Sequence, residues 1–287
     1  MNIVQLAQGS PEWLAYRLAC RNASETAAVL GISTWTTPYQ LWLLKTGRAA
    51  TTVTSAMRHG TDTEPAARAA YEAQTGCVMQ PLVLEHKGYS ASLDGITFDH
   101  DLILEIKCPV RGSRSDLWSD VAAGNVPEHY ALQVQHQLMV SDAPMAHLWV
   151  FDGQRGLRHE IARDEAVMDR IRDGWEAFLT HLDIDTPPPL TDADTVQRLD
   201  TFWKEAASAF ALAKRAEDSA DLALAAAREA LVKLAVHPRE QGDGVTVTRF
   251  WKAGNVDYKK VPVLVGLDLA KYRGKAREEV RFALVSS

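Results

Sequence analysis

The chain has few cysteines, no excess of basic residues and no long apolar run, and each shortage excludes a class of protein. Its three cysteines, Cys20, Cys77 and Cys108, form no CxxC pair. We therefore predict neither a disulfide framework nor a zinc or iron–sulfur cluster. Lys and Arg number 31 against 37 Asp and Glu, which argues against a general nucleic-acid coat but leaves room for a local basic groove.

The hydrophobic segments are short as well. None reaches the roughly 18 residues of a membrane span, and the N-terminal stretch MNIVQLAQGSPEW lacks the basic and apolar regions of a signal peptide. We expect a cytoplasmic protein with no membrane partner. With 287 residues, 46% hydrophobic and 24% charged, the chain can form one large domain, or a medium one with an appendage.

The first third of the chain carries helix signals. Pro11 opens one predicted helix, Ser24 caps a second, and Thr37 starts a third. A longer helix is expected from Met57 to Gln74.

Strand signals begin near Val78. The runs PLVLEH, YSASLDGI and LILEIK predict a strand meander, and AHLWVFD with LRHEIAR predicts a further pair. Helices are expected between and after these strands, at about 115–123, 127–141 and 164–182. We therefore predict an α/β or α+β domain over 1–185, with helices around a small central sheet.

Three consecutive prolines, Pro187–Pro189, give the best linker signal in the chain, because proline cannot continue a helix. We predict a linker over 186–193 and a separate C-terminal arm over 194–287. Apolar residues spaced alternately by three and four predict a long helix at about 194–236 with an alanine-rich seam: Trp203, Ala206, Phe210, Ala213, Ala220, Leu224, Ala227, Leu231 and Leu234.

A hairpin is expected after that helix, because VTVTRFW and VDYKKV flank Lys252–Asn255. The seam favours packing against another helix. We expect the arm to serve in docking or oligomerisation, or to clamp duplex DNA.

Charged residues interrupt the apolar strand LILEIK. Because side chains alternate along a strand, Glu105 and Lys107 share one face while Leu104 and Ile106 share the other. A turn at about 97–101 folds the preceding strand back and can bring Asp94 alongside Glu105. Two close carboxylates repel each other, and a divalent cation with oxygen ligands, such as Mg²⁺ or Mn²⁺, relieves that repulsion.

This arrangement suits phosphodiester hydrolysis. A bound metal would polarise the phosphate and lower the pKa of water, while Lys107 would orient the nucleophile and offset charge on phosphorus. The alternative is a solvated cross-strand pair of Glu105 and Lys107 on an exposed face.

Six ordered blocks give a resemblance to a known family. LDG followed by LEIKCP, within 93–109, resembles the active-site hairpin of PD-(D/E)xK nucleases, with leucine in place of the motif's proline. The blocks follow the order seen in YqaJ-like viral recombinases, the group that includes phage lambda exonuclease. They lie at 9–31, 41–47, 59–76, 92–95, 105–109 and 129–140.

The resemblance implies a PD-(D/E)xK core with a central mixed sheet, and it implies roles for single residues. Asp94 and Glu105 match the family's metal carboxylates, the carbonyl of Ile106 matches its backbone metal ligand, and Lys107 matches its catalytic lysine.

Two further residues match the family's catalytic set. Glu64 matches an acid that helps to hold a second metal or its water, and its alternative is a charge in the first turn of a helix. Gln133 matches a glutamine near the nucleophilic water. Because Gln133 and Gln137 share a helix face, hydrogen bonding between helices is the alternative.

A phosphate pocket is also implied. Arg17, with Ser24 and Ser92, matches the family's grip on a terminal 5′-phosphate, and a guanidinium with hydroxyls at a helix start suits an anion. The alternative is that Arg17 pairs with Glu12 and that Ser24 only caps a helix. The stretch Arg21–Ser24 departs from the isoleucine-glycine that commonly precedes the alanine-serine of the family.

The activity that the resemblance implies is a Mg²⁺-dependent 5′-to-3′ exonuclease, with Mn²⁺ as a possible substitute. It would resect double-stranded DNA ends as a ring-shaped trimer in a bacterial host, from a phage or prophage, and leave 3′ single strands for an annealing protein. Two alternatives stay open: a structure-selective or sequence-specific endonuclease, and a non-catalytic DNA-binding recombination scaffold.

Overall fold

Seven strands form one mixed sheet in the computed structural model, which describes residues 1–6, 10–251, 261–264 and 267. The chain divides into two compact units, Met1–Thr195 and a second that begins at Val196. The sheet belongs to the first unit. Its strands are β1 (Asn2–Ile3), β2 (Arg21–Asn22), β3 (Gln80–His86), β4 (Tyr89–Ile96), β5 (Leu102–Lys107), β6 (Met145–Phe151) and β7 (Gly156–Ala162).

The strand order is β1-β3-β4-β5-β6-β7, and β2 pairs with β4 outside this path. The meander β3–β4–β5 is antiparallel, β5 and β6 are parallel, and β6 and β7 are antiparallel. A parallel pair needs a long crossover connection, and residues 108–144 supply it. Helices α5 (Asp116–Ala122) and α6 (Glu128–Ser141) form within that crossover.

The other helices of this unit come before and after the central strands. They are α1 (Pro11–Ala19), α2 (Thr26–Val29), α3 (Pro38–Lys45), α4 (Ser55–Thr75) and α7 (Glu165–Asp183). Thr37 forms a capping box with Gln40 at the start of α3, as its position predicts. The predicted cap at Ser24 is wrong: Ser24 lies in a 3₁₀ turn, and Glu25 precedes α2 without a side-chain cap.

Helices cover both faces of the sheet. On one face, Val134 and Leu138 of α6 pack with Ile103 of β5 in a buried cluster. On the other, Tyr71 of α4 packs with Leu104, Ile106 and Trp149. Alternation along β5 therefore separates apolar residues that face α4 from Glu105, which faces α6. The predicted α/β fold with a central mixed sheet flanked by helices is confirmed.

The second unit contains a long helix, α8 (Thr201–Leu234), and a hairpin of β8 (Arg239–Gly242) and β9 (Val245–Thr248). The helix starts later than the predicted residue 194, because Asp200 caps it by accepting the Trp203 N–H. At 1.5 Å per residue its 34 residues span about 51 Å. All of the α8 side chains are exposed or half-buried. The predicted alanine-rich seam is therefore not buried against a partner helix among the described residues.

Sequence analysis missed the β8–β9 hairpin. Its turn is Asp243–Gly244, with positive φ angles of 43° and 77°, and this dipeptide is typical of two-residue hairpins. Residues 252–260, which include most of the predicted hairpin, lie outside the described residues. The predicted boundaries at 185 and 194 stay predictions. Among the described residues, the structure contains no helix that is long and apolar enough to cross a bilayer.

A close contact between Gly156 and Trp149 yields a stability prediction. A methyl group at Gly156 would overlap the Trp149 ring. That ring is fully buried, and its Nε1 donates to the Ala67 carbonyl at 3.0 Å. We expect Gly156→Ala to lower the free energy of unfolding by about 1–3 kcal/mol, as overpacking of a core does. Denaturant unfolding measures this change.

The matched control is Gly60→Ala, because open space surrounds the added methyl group there. Its free energy of unfolding should stay equal or rise. Equal stability of both variants would contradict the packing described for Trp149.

Candidate active site

Only two residue pairs join β4 to β5 through the backbone, and the Asp94 side chain adds a further hydrogen bond between the two strands. The register pairs Ile96 with Ile103 and Gly95 with Leu104. Beyond these pairs, the Asp94 side chain accepts the Ile106 N–H at 2.7 Å. A backbone N–H inside a protein needs an acceptor. The carboxylate substitutes for a ladder bond, and this fixes Asp94 beside the charged end of β5.

Glu105 is a buried carboxylate, only 3% exposed. Its Oε1 accepts hydrogen bonds from Lys107 Nζ at 2.5 Å and from Gln133 Nε2 at 2.8 Å, and its Oε2 accepts one from Gln137 Nε2 at 2.5 Å. Burial of an unpaired charge is costly, and these donors offset that cost. Because Glu105 is buried, the alternative of a solvated pair on an exposed face is wrong.

Helix α4 contributes Glu64 and Arg68 to the same region. The two side chains form an ion pair, and Arg68 Nε donates to the Asp94 carbonyl at 2.7 Å. Glu64 lies in the third turn of a helix that begins at Ser55. Its predicted alternative as a first-turn charge is therefore wrong. The Arg68 contact ties the helix to β4.

Negative charge accumulates at this site. Burial, and then the charges of Glu105 and Glu64, raise the pKa of Asp94 well above its ordinary value. Burial also raises the pKa of Glu64, with Arg68 opposing and Glu105 adding to the rise. For Lys107, burial opposes protonation, but Glu105 and Asp94 outweigh it and raise the pKa. The ammonium form of Lys107 is therefore favoured.

The donor chemistry fits a hard divalent cation. Asp94, Glu105 and Glu64 repel one another electrostatically, and carboxylate and carbonyl oxygens are the ligands that Mg²⁺ prefers. Within the part of the chain that the structure describes, however, no three His, Cys, Asp or Glu side chains form a ready ligand cluster. Both Glu105 oxygens accept from nitrogen donors here. The metal roles of Asp94, Glu105, Ile106 and Glu64 stay predictions.

Arg17 of α1 and Ser24 of the turn before α2 are hydrogen-bonded to each other, and Lys45 of α3 supports their segment. Arg17 Nη2 donates to Ser24 Oγ at 3.0 Å, and the guanidinium lies 3.7 Å from Glu25. Its ionic partner is thus Glu25 and not the predicted alternative, Glu12. The Lys45 ammonium binds the Arg17 carbonyl at 2.8 Å and Glu25 Oε2 at 2.6 Å, so α3 supports this segment.

One cavity of about 270 Å³ brings all the predicted site residues together. Trp13, Asn22 and Ser90 also line it. Its wall includes, from the predicted set, Arg17, Ser24, Glu64, Ser92, Asp94, Glu105, Ile106, Lys107 and Gln133. The structure gives their positions, while their roles stay predictions.

Two residues of the site were missed as functional candidates. The sequence motifs predict a functional role for neither Gln137 nor Arg68, yet Gln137 donates to Glu105 and Arg68 forms an ion pair with Glu64. The signal lay in the spacing, since Gln133–Gln137 and Glu64–Arg68 are both i,i+4 pairs that share a helix face.

The part of the chain that forms this cavity is similar to known proteins. The family model of the YqaJ-like viral recombinase domain matches residues 12–144. Residues 12–144, slightly under half of the chain, are therefore similar to this domain. The match includes Arg17, Glu64, Asp94, Lys107 and the other predicted site residues, and it ends just after α6.

Individual relatives are similar to parts of the chain. The uncharacterized protein YqaJ of Bacillus subtilis is 28% identical over 170 residues, which cover 56% of this chain and 52% of that protein. The chain thus matches about half the length of this curated relative.

Solved structures also resemble part of the chain. Two crystal structures of the alkaline exonuclease LHK-Exo of Laribacter hongkongensis, one in complex with dAMP, are 27% identical, with TM-scores of 0.52 and 0.51. Each alignment covers 61% of this chain and 93% of that protein. The similarity supports the PD-(D/E)xK fold of the YqaJ-like domain.

Asp94 yields a prediction on stability and pH. Its folded-state pKa is raised, so ionisation of Asp94 costs stability as the pH rises through that pKa. Asp94→Asn removes the charge and keeps an oxygen that can accept the Ile106 N–H. In a metal-chelating buffer, we expect the variant to melt at a higher temperature than wild type at neutral pH. Thermal unfolding across pH measures the difference.

The difference between the two proteins should shrink as the pH falls below the folded-state pKa, where wild-type Asp94 is neutral. Asp99→Asn is the matched control, because Asp99 belongs to the turn after β4 and does not line the cavity. An Asp94→Asn protein that is less stable than wild type at neutral pH would contradict the repulsion described above.

Proposed function

We propose that the chain is a divalent-metal-dependent deoxyribonuclease that degrades double-stranded DNA from its ends in the 5′-to-3′ direction. The observation that carries the proposal is the single cavity that unites the acidic residues and Lys107 with Arg17, Ser24 and Ser92. The likeness of the YqaJ-like domain to an alkaline exonuclease, crystallised with a deoxynucleoside monophosphate, supports it.

In this proposal Asp94, Glu105, the Ile106 carbonyl and Glu64 hold Mg²⁺, or Mn²⁺ as a substitute. The cation supplies polarisation of the phosphate and a lower pKa of the attacking water. It would compete with Lys107 and the glutamines for the Glu105 oxygens, so we expect these donors to shift when the site is loaded.

Lys107 and Gln133 act on the water and on the phosphate. The raised pKa of Lys107 favours its ammonium form, and its Nζ lies 3.2 Å from Gln133 Oε1. The ammonium orients the attacking water together with Gln133 and offsets the negative charge that develops on the phosphate oxygens. Glu64 contributes a further carboxylate, which accepts a hydrogen bond from that water or serves as a metal ligand.

Arg17, Ser24 and Ser92 bind the terminal 5′-phosphate. A guanidinium and hydroxyl groups are strong donors to phosphate oxygens, and their cavity is shared with Lys107. A pocket that holds the 5′-phosphate determines which end of the strand is cleaved. This is the basis for the 5′-to-3′ direction in the proposal.

The biological role follows from that direction. Resection leaves a 3′ single strand, which a single-strand annealing protein then uses in phage-type recombination in the bacterial cytoplasm. We propose a homo-oligomeric ring, a trimer as in the family, since a closed ring retains duplex DNA even when the chain carries a net charge of -6.

The first test of this proposal is Lys107→Gln. We expect cleavage of blunt linear duplex DNA with Mg²⁺ to fall by about 10²- to 10³-fold, because a donor to the developing charge is lost. DNA binding, measured by fluorescence anisotropy in chelator, should persist. Release of acid-soluble nucleotides gives the rate, and chelator should abolish it in wild type.

Lys87→Gln is the matched control, since Lys87 is an exposed turn lysine outside the cavity. Closed circular duplex separates the alternatives: cleavage of circles indicates an endonuclease. DNA binding without any cleavage by wild type indicates a scaffold, and either outcome counts against the exonuclease.

The second test compares duplexes with a 5′-phosphate and with a 5′-hydroxyl. Wild type should degrade the phosphorylated duplex faster. Arg17→Gln should reduce that preference by about 10-fold or more, because a charge-assisted hydrogen bond contributes about 1.5–3 kcal/mol.

Arg155→Gln, at a side chain that is 76% exposed on the β6–β7 turn, should keep the wild-type preference. An unchanged preference in Arg17→Gln would argue that Arg17 is only structural.

A further inference from the structure

Trp35 is a large aromatic residue left in solvent near the candidate active site. It is 66% exposed. Its ring contacts His129 nearly perpendicularly, with 4.8 Å between the ring centroids, and Tyr130 at 6.0 Å. Most of the indole surface is thus open to a ligand, while one side is supported by two other rings.

The loop that carries Trp35 is held in place. Ile32 and Ser33 both donate backbone N–H groups to the Ala27 carbonyl, at 2.8 and 3.0 Å. Ser33 Oγ accepts the N–H groups of Trp35 and Thr36, each at 3.2 Å. These bonds are typical of a serine-stabilised turn. The indole is therefore presented from an ordered loop, which reduces the entropy lost on binding.

One of these rings, that of Tyr130, lies close to a residue of the cavity wall. The Tyr130 ring centroid lies 5.0 Å from Lys107 Nζ. Tyr130 and Gln133 are three residues apart on α6, so they occupy the same side of the helix. Tyr130 thus connects the surface around Trp35 with the residues proposed to act on the phosphate.

We propose that Trp35, supported by His129 and Tyr130, stacks on a nucleobase of the DNA strand whose phosphate occupies the cavity. The inference deepens the proposed function and rests on it. A strand bound at Lys107 carries its bases next to its phosphates, and an exposed indole beside that point offers a flat surface for them. Stacking on an aromatic ring is sequence-tolerant, because every base has a π-face. This suits an enzyme that must accept any DNA end.

The test uses blunt duplexes with the fluorescent base 2-aminopurine at the first, second or third nucleotide from the 5′ end. Binding is measured in the Lys107→Gln background, so that the DNA stays intact. With Trp35 present, we expect quenching at one of these positions. Trp35→Leu, which keeps apolar bulk but no ring, should lose the quenching and weaken binding by about 10-fold.

Trp35→Phe should restore much of the quenching and affinity, since it keeps an aromatic face. In the otherwise wild-type chain, Trp35→Leu should raise KM for linear duplex more than it lowers kcat. Phe98→Ala is the matched control, because Phe98 is 84% exposed in the β4–β5 turn and does not line the cavity.

Equal quenching and affinity in Trp35→Leu, with wild type active on DNA, would overturn the stacking proposal and leave the nuclease proposal intact. A lower solution mass of Trp35→Leu would also overturn it, because Trp35 would then belong to an interface between copies. If wild type neither binds nor cleaves linear duplex, the proposed function itself fails.

Discussion

The burial of one carboxylate, Glu105, is the constraint on which the site depends. The Glu105 carboxylate is only 3% exposed, so both of its oxygens require hydrogen-bond donors. One donor is Lys107, two residues further along the same face of β5, and the others lie on successive turns of α6. This need for donors determines the orientation of α6 on the sheet, because Gln133 and Gln137 must both face β5. The same requirement explains why polar side chains are tolerated here in the core: Lys107, Gln133 and Gln137 each donate to Glu105, although Gln137 Oε1 itself has no partner.

Much of the fold could be predicted from the sequence because its periodicities are strong. Alternation along β5 separates Ile103 and Glu105 from Leu104 and Ile106, and the turn at 97–101 forces β4 back against it. The mixed character of the sheet is harder to predict from periodicity, since the parallel pairing of β5 with β6 is set by a 37-residue crossover from 108 to 144 and not by any local signal. The strands β1 and β2 were missed because two residues carry no period.

Some site residues could likewise be predicted from local sequence patterns, whereas others depend on tertiary packing. Glu105 and Lys107 could be placed from alternation along β5, and Asp94 from the turn at 97–101. Arg17, Ser24 and Glu64 could be placed only through the family resemblance, because they reach the cavity by tertiary packing of helices distant in sequence. The Lys45–Glu25 pair and the hydrogen bond from Arg68 to the Asp94 carbonyl had no signal beyond a charge in a helical segment. In the second unit, the Asp243–Gly244 turn was present in the sequence and was overlooked, whereas the start of α8 depended on the cap at Asp200.

The Lys45 amine joins the carbonyls that end α1 to the acid that precedes α2, and it does so from the last turn of α3. The segment bearing Arg17 is thereby fastened to α3. It is also fastened to the sheet, because β2 pairs with β4 and Tyr16 donates to Ser90 at 2.9 Å. In the proposed function, the residues that bind the strand terminus and those that cleave the bond would therefore be coupled through β4.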